Sequence, residues 1–291
     1  MGGTTSTKPS CVEEAQALTG AQPRLETSEA RSSGGFASKL TASVRKPARG
    51  LAFAMATVGV FASWLVGLPL AWPTVGKRRW RDIAIHNWGR LAVSILGIRV
   101  HTHGTPPPQG SLLVANHLSY VDIVVLASQT RCVFLSKAEV ADWPGIGWMA
   151  RAVGVLFVKR EDRRSLPAVA AELAAELERG HTVVLFPEGT SSRGAEVLPF
   201  RASLLAPAAE GALPAACATL GYRLPDGSGD PSELVCWWGD MTFADHFLHL
   251  LELPHIDADV RFGAERILDR DRKVLAHRLW EAVQAQFEPV R

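Results

Sequence analysis

The feature that most limits what this chain can fold into is an uncharged apolar stretch from Leu51 to Trp72, LAFAMATVGVFASWLVGLPLAW. About twenty such residues are enough for a helix to cross the hydrocarbon core of a bilayer. The stretch begins too far from the N-terminus to be a secretory signal, and it has no clear small-residue cleavage site. It predicts a membrane-associated helix. Because Gly59, Gly67 and Pro69 interrupt it, a bent monotopic hairpin is an alternative to a full span.

Basic residues flank the apolar stretch on both sides, so their distribution does not decide which end faces the cytoplasm. The segment that follows, Arg78 to Leu96, is basic and rich in Trp and aliphatic residues. Such a helix either lies among lipid headgroups or packs on the following domain as an ordinary amphipathic helix. The flanking basic residues are Arg45, Lys46 and Arg49 on one side and Lys77, Arg78, Arg79 and Arg81 on the other.

The composition agrees with lipid contact and argues against other classes of protein. Hydrophobic residues make up 47% of the 291 residues, nine are Trp, and the mean hydropathy is +0.08. A formal net charge of +2 is too small to indicate nucleic-acid binding. The cysteines lack the paired spacing of a zinc site or a disulfide framework, which favours a reducing compartment; they are Cys11, Cys132, Cys217 and Cys236.

Three regions are expected along the chain. Residues 1–48 are rich in small polar and charged residues and are predicted to form a flexible tail. Residues 49–97 form the membrane-anchoring helical segment, and residues 98–291 form an α/β domain. Alternating β-rich and helical patterns in this domain predict a mainly parallel central sheet flanked by helices. The expected strands are residues 98–103, 111–115, 131–136, 154–159 and 182–186.

Polar clusters follow three of these expected strands. NHLSYVD begins at Asn116, KRED begins at Lys159, and PEGTSSRG begins at Pro187. In parallel α/β sheets, ligands bind beyond the carboxyl ends of the strands. The three clusters are therefore expected to meet in one crevice.

His117 and Asp122 have the chemistry of a general base and of the carboxylate that orients it. The sequence offers no protein nucleophile beside them, since the G-x-S-x-G elbow is absent and no cysteine stands out. The substrate would then supply the attacking oxygen. A simpler interpretation also fits, because Ser119 and Asp122 have the spacing of a helix capping box.

Cationic and turn-forming residues extend the predicted site. Lys159, Arg160 and Arg193 are candidates for an anion-binding lining, and Arg160 is the best placed because it directly follows a strand. Pro187 and Gly189 predict a tight turn whose backbone amides can face a phosphate or an oxyanion. The acidic and histidine residues between positions 245 and 252 have a spacing that can suit a metal. A polar helix face is the more frequent explanation, and no metal is expected.

These motifs resemble the glycerolipid acyltransferases, a family that includes bacterial 1-acylglycerol-3-phosphate acyltransferases. The resemblance covers residues 98–220, and the motifs occur in the family's order. The first is Asn116, His117 and, after four residues, Asp122; the second is GVLFVKR at 154–160; the third is FPEGT at 186–190; and GALPAACATL around Pro214 is a looser match to the fourth.

The resemblance implies a role for each matched residue. His117 would be the general base and Asp122 its partner. Many family members have arginine directly after FPEGT, where this chain has Ser191. The segment from Trp237 to Leu251 also resembles a downstream segment in relatives that include enzymes acylating lyso-ornithine lipid. The residues implied in binding the acceptor are Asn116, Lys159, Arg160, Glu188, Gly189, Thr190 and Arg193.

Together these observations predict a membrane-bound O-acyltransferase that needs no cofactor beyond its co-substrate, acyl-ACP or acyl-CoA. The acyl group would pass directly to the free hydroxyl of a lysophospholipid, first of all 1-acyl-sn-glycerol 3-phosphate, giving phosphatidate. Lyso-ornithine lipid is the alternative acceptor. A hydrolase and a non-catalytic lipid-binding membrane protein are the alternatives from other classes. The expected location is the inner membrane, with the catalytic domain on the cytoplasmic side.

Overall fold

The computed structural model describes residues 29–71, 77–142, 147, 155–158 and 166–291. The chain divides after Leu40 into two compact units. Of the first unit, only the opening turns of helix α1 are described. Helix α1 begins at Glu29, within the segment predicted as a flexible tail, and the domain bounds 1–48, 49–97 and 98–291 stay a prediction. Residues 1–28 lie outside the described residues.

The described elements alternate as the sequence predicts between residues 98 and 185, and two further strands follow. The helices are α1 Glu29–Ala71, α2 Lys77–Leu96, α3 Val121–Gln129, α4 Leu166–Glu178, α5 Ala202–Glu210, α6 Pro231–Leu234, α7 Phe243–Leu250 and α8 Arg272–Gln284. The strands are β1 Ile98–His103, β2 Leu112–Ala115, β3 Cys132–Lys137, β4 Leu156–Val158, β5 Thr182–Leu185, β6 Ala215–Arg223 and β7 Ile256–Ile267. A short 3₁₀ helix spans Ala138–Asp142.

The strands form one 7-stranded sheet in the order β1-β7-β6-β2-β5-β3-β4. The five strands from β6 to β4 run parallel to one another. β7 pairs antiparallel with β6, and β1 runs parallel with β7. The sheet is therefore mainly parallel, as predicted, with an oppositely directed pair at one edge that the sequence analysis does not include.

Helices cover the sheet in two groups. α2 and α3 pack together and contact β1 and β3, whereas α4, α5 and α8 pack in a row and contact β5, β6 and β7. α2 and α3 approach closely at Gly89, where a Cβ atom would lie only 2.7 Å from the Ser128 backbone nitrogen. α3 begins with the residues that carry the predicted site, so this packing fixes the site relative to α2.

β2 lies at the centre of the sheet and is buried on both faces. Leu112, Leu113 and Val114 are 0% exposed, which explains why this strand reads as a continuous apolar run. Full burial of each such side chain contributes about 1.5–3 kcal/mol to stability. The polar residues that directly follow β2 therefore emerge from a fully buried part of the core.

The second unit contains a helical segment long and apolar enough to cross a membrane. It runs from Ser43 to Gly67 with a mean hydropathy of 1.7, and only 6% of it is buried. Its exposed side chains include Leu51 at 62% and Val58 at 68%. Its other face packs on the protein: Trp88 Nε1 donates to Thr57 Oγ1 at 3.0 Å. This segment is thus a two-faced helix with an uncovered apolar side.

Basic residues before the apolar stretch bind the C-terminal end of α7. Arg49 donates to the carbonyl oxygens of Leu253 at 2.5 Å and Pro254 at 3.1 Å, and Arg45 donates to that of Glu252 at 2.8 Å. Lys46 forms an ion pair with the Glu252 carboxylate at 2.7 Å. These carbonyl groups lie in the turn directly after α7, where backbone acceptors need donors from outside, and cationic side chains form charge-assisted hydrogen bonds to them. These side chains therefore attach α1 to the α/β domain.

Candidate active site

His117 and Asp122 meet just beyond the carboxyl end of β2. His117 Nδ1 lies 2.7 Å from Asp122 Oδ2, and the His117 side chain is 20% exposed while that of Asp122 is fully buried. A carboxylate only accepts hydrogen bonds, so Nδ1 carries the proton and Nε2 has a free lone pair. The pair thus has the geometry of a general base and its orienting carboxylate.

The Asp122 carboxylate accepts four hydrogen bonds. Besides His117, the backbone nitrogens of Leu118 and Ser119 donate to Oδ2 at 2.7 Å and 3.0 Å. The hydroxyl of Tyr222, on β6, donates to Oδ1 at 2.6 Å. All four partners are donors, which is the arrangement that stabilises an ionised carboxylate away from water.

The capping-box interpretation of Ser119 and Asp122 holds only in part. The Asp122 carboxylate accepts from the Ser119 N–H, which is the acidic half of the box. The Ser119 hydroxyl is buried without a hydrogen-bond partner among the residues that the structure describes. α3 starts instead after Tyr120, which makes no side-chain cap. Asp122 therefore accepts hydrogen bonds both from the backbone just before α3 and from the His117 imidazole.

Glu188 lies beneath the same loop and joins two backbone segments. Its Oε1 accepts from the His117 N–H at 2.9 Å, and its Oε2 accepts from the Leu198 N–H at 3.3 Å. Burial raises the pKa of Glu188 to about 8, and the nearby Asp122 charge adds to this, against the lowering effect of the two backbone hydrogen bonds. These contacts make Glu188 a support of the His117 backbone. The prediction that it binds the acceptor remains a prediction.

Asn116 bridges β2 to β6. Its Nδ2 donates to the Leu220 carbonyl oxygen at 3.0 Å, and its Oδ1 accepts from the Leu220 N–H at 2.7 Å. The side chain is fully buried, so both of its polar atoms are satisfied by one residue of the neighbouring strand. In this structure Asn116 holds two strand ends together, and direct contact with the acceptor stays a prediction.

The third motif forms the predicted turn. The Gly189 N–H donates to the Phe186 carbonyl oxygen at 3.1 Å, and Gly189 has a φ of 75°, a left-handed conformation that glycine adopts without strain. Its amide therefore closes the turn in this structure. Thr190 follows on the exposed surface. Acceptor binding by Gly189 and Thr190 stays a prediction.

The first and third clusters meet, as predicted. In addition to Glu188, the Ser192 N–H donates to the His117 carbonyl oxygen at 3.0 Å. The Phe186 ring stacks on the His117 imidazole with centroids 4.3 Å apart and an angle of 15° between the planes. Lys159 and Arg160, from the second cluster, lie outside the described residues. The sequence analysis does not include Phe186 stacking or Tyr222, because no local pattern marks either.

Arg193 lies one residue beyond the Ser192–His117 hydrogen bond and is half exposed. Its guanidinium lies 3.3 Å from the Glu233 carboxylate and 4.0 Å from that of Asp230. It also lies 5.6 Å from the centroid of the Trp238 ring. The Trp237 N–H donates to the Leu118 carbonyl oxygen at 2.9 Å, which brings this segment against the His117 loop. Beside the candidate base there is thus a surface of mixed charge.

The histidine and acidic residues of α7 do not form a metal site. His246 is buried, with Nδ1 at 2.8 Å from the Tyr120 hydroxyl and Nε2 at 3.0 Å from the Cys236 carbonyl oxygen. In the described ranges, no group of three or more His, Cys, Asp or Glu side chains is placed to hold a metal ion.

Comparisons with known proteins agree with the geometry of this site. An acyltransferase family model matches residues 97–219. The lyso-ornithine lipid O-acyltransferase of Rhizobium meliloti is 34% identical over 213 residues, which cover 69% of this chain and 71% of that protein. The 1-acyl-sn-glycerol-3-phosphate acyltransferase of Neisseria gonorrhoeae is 32% identical over 209 residues, which cover 72% and 82%.

A further relative and a solved structure extend this result. The lyso-ornithine lipid O-acyltransferase of Rhodobacter capsulatus is 39% identical over 182 residues, which are 61% of this chain and 65% of that protein, slightly less than two thirds of its length. The fold matches the crystal structure of the 1-acyl-sn-glycerophosphate acyltransferase PlsC from Thermotoga maritima. The TM-score is 0.58 at 21% identity, over 84% of this chain and 97% of that one.

The fold and the ordered motifs define an acyltransferase domain. The chain belongs to the PlsC-like family of glycerolipid acyltransferases.

Proposed function

We propose that this protein moves a fatty acyl group from an acyl thioester, acyl-ACP or acyl-CoA, to the free hydroxyl of a lysolipid at a membrane. The observation that supports this reaction is the His117–Asp122 pair, which has the geometry of a general base and its orienting carboxylate. Nε2 accepts the hydroxyl proton while the hydroxyl oxygen attacks the thioester carbonyl carbon. The new C–O bond forms, the C–S bond breaks, and the imidazolium returns its proton to the leaving thiolate.

Lyso-ornithine lipid is the acceptor we favour. Relatives named for that acceptor are 39% and 34% identical to this chain, and one named for 1-acyl-sn-glycerol 3-phosphate is 32% identical. This order reverses the expectation from the motifs alone, in which 1-acyl-sn-glycerol 3-phosphate comes first. That lipid is retained as the second candidate acceptor because the relatives carry both names.

The charges around Arg193 support the same choice. An N-acylated ornithine headgroup carries one ammonium and one carboxylate, whereas a phosphomonoester carries only negative charge. Glu233 and Asp230 already face the Arg193 guanidinium, so a phosphate has to compete with two carboxylates for it. An ammonium group gains from those carboxylates while a carboxylate gains from Arg193. The surface therefore suits a zwitterionic headgroup better than an anionic one.

A competition assay tests the choice of acceptor. Purified protein in detergent receives one acyl-CoA and an equal mixture of lyso-ornithine lipid and 1-acyl-sn-glycerol 3-phosphate, and both products are quantified. We expect kcat/KM for lyso-ornithine lipid to be at least about tenfold higher, a difference of about 1.4 kcal/mol in transition-state stabilisation. A ratio that favours 1-acyl-sn-glycerol 3-phosphate overturns the proposal. A parallel arm with acyl-ACP identifies the preferred donor.

Replacement of one carboxylate tests whether the charges beside Arg193 determine the acceptor preference. Glu233→Gln should lower kcat/KM for lyso-ornithine lipid relative to 1-acyl-sn-glycerol 3-phosphate by about threefold to tenfold, because half-exposed ion pairs are worth about 0.2–1 kcal/mol and the two acceptors respond in opposite directions. Glu210→Gln, at an exposed position at the end of α5, is the matched control and should leave the ratio unchanged.

A further inference from the structure

Tyr222 reaches the candidate base from a distant part of the chain. It lies near the end of β6, which pairs in parallel with β2 up to Ala218 opposite Ala115. β6 continues beyond that point, at about 3.3 Å for each residue, past the end of β2 and alongside the His117 loop. Two residues before Tyr222, the Asn116 side chain fixes Leu220 through both its N–H and its carbonyl oxygen.

The Tyr222 hydroxyl holds the half of the Asp122 carboxylate that faces away from His117. Oδ2 has three donors, whereas the donor to Oδ1 is the Tyr222 hydroxyl at 2.6 Å. Both side chains are buried, with Asp122 at 0% and Tyr222 at 1% exposure, so water does not readily take the place of the hydroxyl. Burial and the Asp122 charge raise the pKa of Tyr222 well above its usual value, which keeps it protonated as a donor.

We infer that Tyr222 is a positioning residue for acyl transfer, which acts through Asp122 on the orientation and basicity of His117. The inference rests on the proposed function. By donating to Oδ1, Tyr222 fixes the plane of the carboxylate and withdraws part of its negative charge. Without that donor, Asp122 holds its charge more strongly against the imidazole and is free to turn. The imidazolium then becomes more stable, and its alignment with the acceptor hydroxyl becomes less exact.

Three ionisable groups in or beside this network bear on its pH dependence. Glu188 approaches from the turn after β5 and has a pKa raised to about 8, mainly by burial. Cys236 follows α6, and burial together with the Asp122 charge raises its pKa. The Tyr222 hydroxyl is the third. Of these, Glu188 titrates nearest to the working range, so the pH profile is measured in the presence and absence of Glu188→Gln.

The test compares the two tyrosines of the chain. Tyr222→Phe removes the donor to Asp122, and Tyr120→Phe removes a hydroxyl whose partner is His246. For Tyr222→Phe we expect kcat to fall about tenfold with KM changed less than about twofold, and the acid limb of the kcat profile to move to higher pH by about half a unit. Tyr120→Phe should leave that limb in place. Equal profiles for the two variants would refute the inference, even if both lose thermal stability.

A second measurement covers the case in which Tyr222→Phe does not fold. In the Tyr120→Phe protein, Tyr222 is the remaining tyrosine, so growth on 3-fluorotyrosine labels it alone. The fluorinated phenol is a stronger donor of nearly the same size, and it should move the acid limb to lower pH by a few tenths of a unit. An unmoved limb contradicts the role of Tyr222. Absence of acyl transfer in the wild-type protein contradicts the proposed function instead.

Discussion

At the carboxyl edge of the sheet, polar side chains are buried and held by hydrogen bonds, whereas along α1 apolar side chains are exposed. Asp122 is 0% exposed and accepts four hydrogen bonds, while Val58 is 68% exposed. A buried carboxylate costs several kcal/mol unless it is fully paired. The hydrogen bonds that pair Asp122 also fix its orientation toward His117. Burying an uncharged helix face against another apolar phase is favourable, so the second arrangement is that of a surface suited to lipid or to another apolar partner.

The two regions are joined by direct contacts in the second unit. The Phe53 ring on α1 lies 5.3 Å from that of Phe247 on α7, and the Phe247 ring lies 6.3 Å from that of Tyr120, just before α3. α2 also packs closely on α3 at Gly89. The helix that bears Asp122 is therefore connected by packing to α1 and α2, so the site is held at a defined position relative to the exposed apolar side of α1.

The largest expected effect is the loss of activity when the base is removed, and it distinguishes the catalytic site from the apolar face of α1. His117→Ala should lower kcat by about two to four orders of magnitude, because proton abstraction contributes that much to catalysis, and should leave association with lipid vesicles unchanged. The measurement is the rate of lysolipid acylation together with vesicle sedimentation. His101→Ala, on an exposed part of β1, is the matched control and should keep full activity. Wild-type turnover in His117→Ala would contradict the assigned role.

The second prediction addresses the exposed face of α1. The double variant Leu51→Asp/Val58→Asp places two charges on it, and each charge costs about 2–3 kcal/mol near the centre of a membrane helix. We expect the vesicle partition constant to fall at least about a hundredfold, while activity on acceptor supplied in detergent is retained. Val274→Asp, at an exposed apolar position on α8, is the control. If the wild type, the double variant and the control partition equally into vesicles, α1 is not the membrane anchor.

The third prediction concerns the attachment of α1 to the domain. Arg49→Ala removes the hydrogen bonds to the Leu253 and Pro254 carbonyl groups after α7, and we expect a loss of about 2 kcal/mol in the free energy of unfolding. The change should appear as a fall of several degrees in Tm in detergent. Arg90→Ala, an exposed arginine on α2, provides the comparison. If both variants melt alike, Arg49 does not fasten the helix.

The fourth prediction concerns the pH dependence of stability that Glu188 produces. Its pKa is about 8 in the folded protein and lies near the ordinary glutamate value of 4.5 when the chain is unfolded. Between these values the folded state binds more protons, so this group makes stability decrease as pH rises and has no further effect above about pH 8. Glu188→Gln should remove that contribution, and Tm should then decline a few degrees less from about pH 5 to about pH 8. Parallel Tm curves would contradict the raised pKa.

Local patterns predict the parts of the fold that local residues determine. β1 and the helix α2 begin and end within one residue of the predicted bounds, because β-branched residues at alternate positions mark the strand and the recurrence of apolar residues marks the helix. β6 and β7 are not predicted as strands. β6 is rich in Ala, which favours helix as much as strand. β7 alternates buried and partly buried residues in its first eight positions, but the charged residues among them obscure the strand pattern.

The candidate site divides in the same way. His117 and Asp122 are five residues apart, so a motif captures them, and the ordered third motif captures the turn that meets them. Tyr222 lies 100 residues after Asp122, and only the pairing of β6 with β2 brings the two together. The different roles of Glu188 and Asp122 also depend on packing. Both are carboxylates in a short motif, but Asp122 accepts from the His117 imidazole, whereas Glu188 accepts from the His117 backbone N–H.

The central claim is direct acyl transfer from the thioester to a lysolipid hydroxyl with His117 as the base, and thiol release tests it most directly. Wild-type protein is mixed with acyl-CoA, and free CoA is followed with and without lyso-ornithine lipid while ester product is quantified. The account predicts that CoA appears only when the acceptor is present and matches the ester in a ratio of about one to one. Release of CoA at the same rate without acceptor, or a burst of CoA that leaves an acylated protein, would contradict it.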